Sequence, residues 1–131
     1  MPDAFSRWRD GPVFVPSNTN VQLASLAVPA GSYVIFGKGY AKLHGGGGTK
    51  LALQLTAGSD FDRLRVGIDA TENHVTHARR SDETGFALNV LHSFAAPGTI
   101  TLTCSCDADD LDVSFIKITA IHVTSFSNLP E

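Results

Sequence analysis

Thr49-Lys50-Leu51-Ala52-Leu53-Gln54-Leu55-Thr56-Ala57 alternates strictly, with Leu51, Leu53 and Leu55 on one side and Lys50, Ala52, Gln54 and Thr56 on the other. Successive strand side chains point to opposite faces, so a period of two marks a β-strand with one buried face. The same pattern recurs on both sides of this stretch. Thr99–Cys106 sets Ile100, Leu102, Cys104 and Cys106 against Thr99, Thr101, Thr103 and Ser105. Phe61–Ile68 sets Leu64, Val66 and Ile68 against Arg63 and Arg65, and Phe86–Phe94 aligns Phe86, Leu88, Val90, His92 and Phe94. Val21–Val28 alternates with a phase slip at Ala24-Ser25, which predicts a bulge. Gly, Pro and Asp clusters divide the segments, and no amphipathic helix lies between them. Roughly seven or eight short strands without helices predict an all-β jelly-roll β-sandwich.

At 131 residues the chain has the length of one domain. Residues 1–19 read as an irregular N-terminal arm with a short strand at Val13–Val15, because Pro2, Gly11, Pro12 and Pro16 interrupt any regular run. Residues 20–131 read as a single jelly-roll domain. Charged residues make up only 18% of the chain, below the roughly 25% usual for soluble domains. That suits a surface partly covered by copies of the same chain. The net charge is −3 with no basic stripe, so nucleic acid is excluded as a partner. No stretch is long and apolar enough for a membrane span, and Met1–Asp10 lacks the apolar core of a signal peptide. Synthesis in the cytoplasm follows as the expectation, with release inside a larger particle. Cys104 and Cys106 point the same way along a strand, where a bridge would be strained, so both are expected as reduced core residues.

Two segments depart from simple alternation. In Ser32–Leu43, Tyr33, Ile35, Ala41 and Leu43 share one face while Val34, Phe36 and Tyr40 occupy the other. In Leu111–Phe126 the apolar set passes from Leu111, Val113 and Phe115 to Ile116, Ile118 and Ala120, then back to Ile121 and Val123. Parallel sheets bury both faces, but they need crossover helices that this chain lacks. Three explanations stay open: a subunit interface, coverage by the arm, or a bulge that resets the register. A homo-oligomer interface makes Val34, Phe36, Tyr40, Phe115, Ile116, Ile118 and Ile121 its candidate residues.

Ala4-Phe5-Ser6 and Val28-Pro29-Ala30-Gly31-Ser32-Tyr33-Val34-Ile35-Phe36 resemble the opening and the "apolar-Pro-x-Gly-x-Tyr-x-x-Phe" segment of the tumour-necrosis-factor-like jelly roll, the fold of the complement globular-head family. Pro29–Lys38 and Lys117–Val123 are similar to segments of small proteins of actinobacteria and their phages. The resemblance implies a compact trimer that binds or decorates without catalysis. The chain shows no collagen-like stalk, and its four-glycine loop Gly45–Gly48 is not a feature of that family.

The remaining constellations are candidates for contact rather than chemistry. Arg7-Trp8-Arg9 has the residue mix of a binding hot spot, unless Trp8 caps an open end of the sandwich. The polar segment Asp69–Gly85 carries His74, His77, Arg79 and Arg80, a recognition loop or, if it folds back on itself, a metal site. Asp107, Asp109, Asp110 and Asp112 offer oxygen ligands for calcium in an acidic turn, without an EF-hand pattern. Gly45–Gly48 before Thr49-Lys50 has the wrong order for a phosphate loop and leads into a strand. His92 and His122 fall inside strands and read as packed, hydrogen-bonded residues. No nucleophile elbow or zinc-protease motif occurs.

The expectation is therefore a non-enzymatic structural or binding module without cofactor or metal, working as a symmetric oligomer, a trimer by resemblance. Its setting is a phage capsid or tail, as a decoration or accessory protein bound to capsid or tail proteins. The competing expectation is a lectin that binds cell-surface glycans through Trp8 or Tyr40.

Overall fold

A computed structural model describes residues 2–45, 47–69 and 82–130. It contains strands β1 (Ala4–Arg9), β2 (Val13–Val15), β3 (Val21–Val28), β4 (Gly31–Leu43), β5 (Gly48–Ala57), β6 (Asp60–Asp69), β7 (Glu83–Phe94), β8 (Gly98–Cys106) and β9 (Leu111–Val123), and no helix among the described residues. The pairings are those of one long hairpin rolled up. β1 pairs with β9, β3 with β8, β4 with β7 and β5 with β6, all antiparallel. The roll closes where β4 meets β9 and β5 meets β8. One sheet therefore runs β1-β9-β4-β7 with β2 alongside β9, and the other runs β3-β8-β5-β6. This is jelly-roll connectivity.

The strictly alternating segments supply the core as their spacing predicts. Leu51, Leu53 and Leu55 from β5 meet Ile100, Leu102 and Cys104 from β8, all buried, against Tyr33, Ile35, Leu88 and Val90 of the opposite sheet. Both cysteines are free and buried, and burial pushes the Cys104 thiol up to about 12. Tyr33 enters the core from the Pro29 turn and donates its hydroxyl back to the Pro29 carbonyl at 2.9 Å. Two turns demand glycine: Gly58 has φ +58 and Gly31 φ +148, and a Cβ on either would strike the ring of His92 or His122 respectively. His92 is held at 2.7 Å by Asp60 and stacks edge-on to Phe94.

Three expectations change. Residues 4–9, read as irregular arm, form a ladder with β9 from Ala4↔Ile121 to Arg9↔Ile116. Pro2 and Pro12 flank this strand instead of interrupting it, and an edge strand engages only one row of its backbone groups. The short strand at Val13–Val15 is present as β2. The slip in β3 falls between Gln22 and Ala24, one residue earlier than the sequence suggests.

The third change concerns β9. Lys38↔Lys117 and Tyr40↔Ser114 leave one extra residue on β9, and Phe115 takes φ +53 there. This bulge resets the register. Leu111 and Val113 point inward before it, and Ile116, Ile118 and Ala120 point inward after it. Ile116 and Ile118 are 1% and 0% exposed, so these two interface candidates are core residues. The apparent second face of β9 is largely one face read across a bulge. The edge strand breaks at the same level: the Asp10 backbone carbonyl accepts the Phe115 amide at 3.3 Å, between β1 and β2.

Candidate functional site

The two sheets bury similar inner faces and present different outer ones. On the β1-β9-β4-β7 sheet, register places Ala4, Ile121, Val34 and Leu91 in one outward row. Ser6, Thr119, Phe36 and Asn89 form the next, followed by Trp8, Lys117, Lys38 and Ala87. Phe115 projects from the bulge, and Phe14 of β2 lies beyond it, its ring 5.0 Å from His44. Among the described residues seven large hydrophobics are exposed, and five of them (Trp8, Phe14, Phe36, Phe115 and Ile121) belong to this sheet. Such grouping of apolar side chains on one surface marks contact sites.

This face gathers five of the interface candidates, Val34, Phe36, Tyr40, Phe115 and Ile121. It also takes Trp8, which sequence reading assigned to a separate arm. Trp8 is 65% exposed and so does not cap an end of the sandwich. Arg7 and Arg9 leave β1 on the opposite side, and the β1 edge from Arg7 to Arg9, Trp8 included, lines a cleft with Gln22, Leu23, Ala24 and Ser25 of β3. The Arg-Trp-Arg triplet is thus split across two surfaces by strand alternation. Phe14 and Leu91 were missed; the signal for Leu91 is its place opposite the aligned Phe86, Leu88 and Val90, whereas the all-apolar Val13-Phe14-Val15 does not show which side faces out. The Tyr40 hydroxyl bonds the Glu83 side chain, which raises its pKa.

On the β3-β8-β5-β6 sheet the outward rows are polar. Thr103, Gln54 and Arg63 form one row, and Ser105, Ala52 and Arg65 the next. Arg63 donates through Nε and Nη2 to the Gln54 side-chain oxygen at 3.1 and 3.0 Å, and its guanidinium lies 5.0 Å over the Phe61 ring. Gln54 in turn donates to Thr56 Oγ1 at 2.9 Å.

The acidic turn is engaged in holding strands and loops. Asp107 Oδ1 accepts the Lys50 amide at 2.9 Å and the Thr49 hydroxyl at 3.2 Å, and these bonds, led by the Lys50 amide, hold its carboxyl below the usual range. Asp110 accepts the Ser17 amide at 2.8 Å, and Asp112 pairs with His44 at 2.7 Å. Asp109 lies against Gly47. No group of three His, Cys, Asp or Glu side chains suited to a metal occurs among the described residues. His74, His77, Arg79 and Arg80 lie outside the described residues. No helix among the described residues is long and apolar enough to cross a membrane.

Solved structures that share the fold include these two. The structure of infectious bursal disease virus, Gx strain, superposes with a TM-score of 0.57 at 12% identity, over 94% of this chain and 34% of that one. Dimeric latent PorU from Porphyromonas gingivalis superposes with a TM-score of 0.52 at 13% identity, over 98% of this chain and 14% of that one. At such identity the likeness is one of fold, and the chain spans well under half of either neighbour. No protein-family model matches the chain, and no curated protein matches it.

Proposed function

We propose that the chain is a non-enzymatic structural module that assembles into a closed trimer through the outer face of its β1-β9-β4-β7 sheet. In this reading the trimer is a building or decorating unit of a phage capsid, tail or similar particle. The observation that carries the self-association is the concentration of Trp8, Phe36, Phe115 and Ile121 on one sheet face, with Val34 and Leu91 between them. Burying that face in a neighbouring copy returns roughly 25 cal/mol for each Å² of apolar surface withdrawn from water. Closed cyclic symmetry lets every copy bury it equally. The particle setting is supported by the shared fold with a domain of a virus structure and by the low charge of the chain.

Light scattering tests the assembly. The expected mass is three times the 13.9 kDa chain, falling to a single chain in Phe36→Asp and Ile121→Lys. A single-chain mass for the unaltered protein across concentration overturns it. A glycan-array signal abolished by Trp8→Ala or Tyr40→Ala assigns the same face to a lectin instead.

A further inference from the structure

The outer face of the β3-β8-β5-β6 sheet carries a groove that self-association through the other sheet leaves open. It has a volume of about 670 Å³ and is lined by Asn18, Asn20, Lys50, Ala52, Arg65 and Ser105, among others. A smaller depression of about 220 Å³ continues it over Gln54, Thr56, Arg63 and Thr103. One wall is the Ser17–Asn20 turn, which is fixed in place. Asn18 adopts φ 58 and donates its amide to the Cys106 carbonyl at 2.7 Å, and the Ser17 amide is held by Asp110. Gly67 on the floor has open space where a Cβ would stand, so a ligand can approach the backbone there.

We infer that this groove binds an acidic oligosaccharide, its carboxylate or sulfate groups taken by Arg65, Lys50 and Arg63 and its hydroxyls by the Asn, Thr and Ser side chains. Charge is the first argument. In a chain of net charge −3, three cations stand together on this face. Arg65 has no ion-pair partner among the described residues, and its guanidinium matches a carboxylate or sulfate in a two-pronged contact. Asp107 also lines the groove and keeps its negative charge while accepting the Lys50 backbone amide and the Thr49 hydroxyl, so the three cations outnumber the one lining carboxylate. Asp69, the next outward position on β6 after Gly67, is not part of the lining.

Preorganisation is the second argument. Arg63 is fixed between Gln54 and Phe61, so little side-chain freedom is lost on binding. The Arg63 guanidinium also lies over one face of the Phe61 ring, setting a cation beside that exposed aromatic. Three cations are fewer than the roughly 6–10 phosphate contacts of a strongly salt-dependent duplex binder. Hydroxyl and amide groups of Asn18, Asn20 and Ser105 beside these cations fit the polar groups of a polyhydroxylated anion, and the apolar lining at Leu51 and Val66 fits its ring faces.

Titration calorimetry of the full chain with a heparin hexasaccharide tests this, with maltohexaose and hexaglutamate as comparison ligands. The heparin hexasaccharide is expected to bind and the other two are not. Arg65→Ala is expected to lower affinity about tenfold, with Arg65→Lys retaining part of it. Phe36→Asp, altered on the opposite sheet, is expected to bind equally per chain, so failure of the trimer and failure of this groove are told apart. No binding at millimolar ligand, equal binding of hexaglutamate, loss of binding in Phe36→Asp, or unchanged affinity in a folded Arg65→Ala chain each overturns the assignment.

Discussion

The two outer faces of this sandwich follow one rule of alternation and arrive at opposite chemistry. On the β1-β9-β4-β7 sheet the outward positions hold Val34, Phe36, Leu91, Trp8 and Ile121, interrupted by Lys38 and Lys117. On the β3-β8-β5-β6 sheet they hold Thr101, Thr103, Ser105, Gln54, Arg63 and Arg65. Inward positions are alike on both sheets because each must fill the same core. The outward positions are free of that demand, so their difference reports what each face meets. An apolar face is suited to a large dry contact, and a hydroxyl-rich face with fixed cations to a hydrated anionic ligand.

The sharpest way to break the comparison lies within β9, where core and surface residues are neighbours. Ile118→Ala is expected to cost about 2–5 kcal/mol, read by urea denaturation, because it opens a cavity in a closed interior. Ile121→Ala, three residues away and 40% exposed, is expected to cost less than about 1 kcal/mol in the stability of the single chain. Equal losses at both positions would remove the bulge at Phe115 from the account.

Cys104 lies directly beneath the hydroxyl face, between Thr103 and Ser105. Unfolded, its thiol ionises at its ordinary value of 9.0, whereas in the folded chain it stays protonated up to about 12. Its contribution is complete below pH 9.0 and is lost as pH rises toward 12, by about 1.4 kcal/mol per pH unit. Melting temperature measured across that window should fall less steeply in Cys104→Ala than in the unaltered chain.

A matched pair of charges compares the faces directly. Ile121→Lys is expected to abolish association, while Thr103→Lys, on the other sheet, leaves the mass unchanged; each shifts single-chain stability by only about 0.5 kcal/mol. Sedimentation velocity distinguishes them, and dissociation by Thr103→Lys would move the contact to the hydroxyl face. The smallest expected effect belongs to Asp107, whose lowered pKa makes its contribution complete above the usual carboxylate range and lost as pH falls through the folded value. Asp107→Asn should therefore flatten the acid side of the stability curve below about pH 4 without moving its alkaline side.

Most strand positions after residue 20 and most of the core were legible because alternation is a local property. Leu51, Leu53 and Leu55 declare an inward side without reference to any other strand. Ala4–Arg9 was not legible, since an edge strand is made by its partner: only the free rim of β9 turns this proline-flanked segment into a ladder. Ile116 and Ile118 were misassigned for a related reason. A bulge adds one residue and reverses every later side chain, and nothing at Ser114-Phe115 announces it by composition. The contact face was half legible: Phe36 and Ile121 were found, but Trp8 joins them only through the pairing Trp8↔Lys117↔Lys38.

By itself, then, the sequence determined that the chain would be a helix-free sandwich with leucine-lined inner faces and two buried, reduced cysteines, because burial must follow the two-residue period of an extended backbone. Tertiary structure alone decided which outward residues stand together. Rows across a sheet join positions more than a hundred residues apart, such as Trp8 and Lys117, and their register depends on hydrogen bonds between strands and on a single extra residue at Phe115.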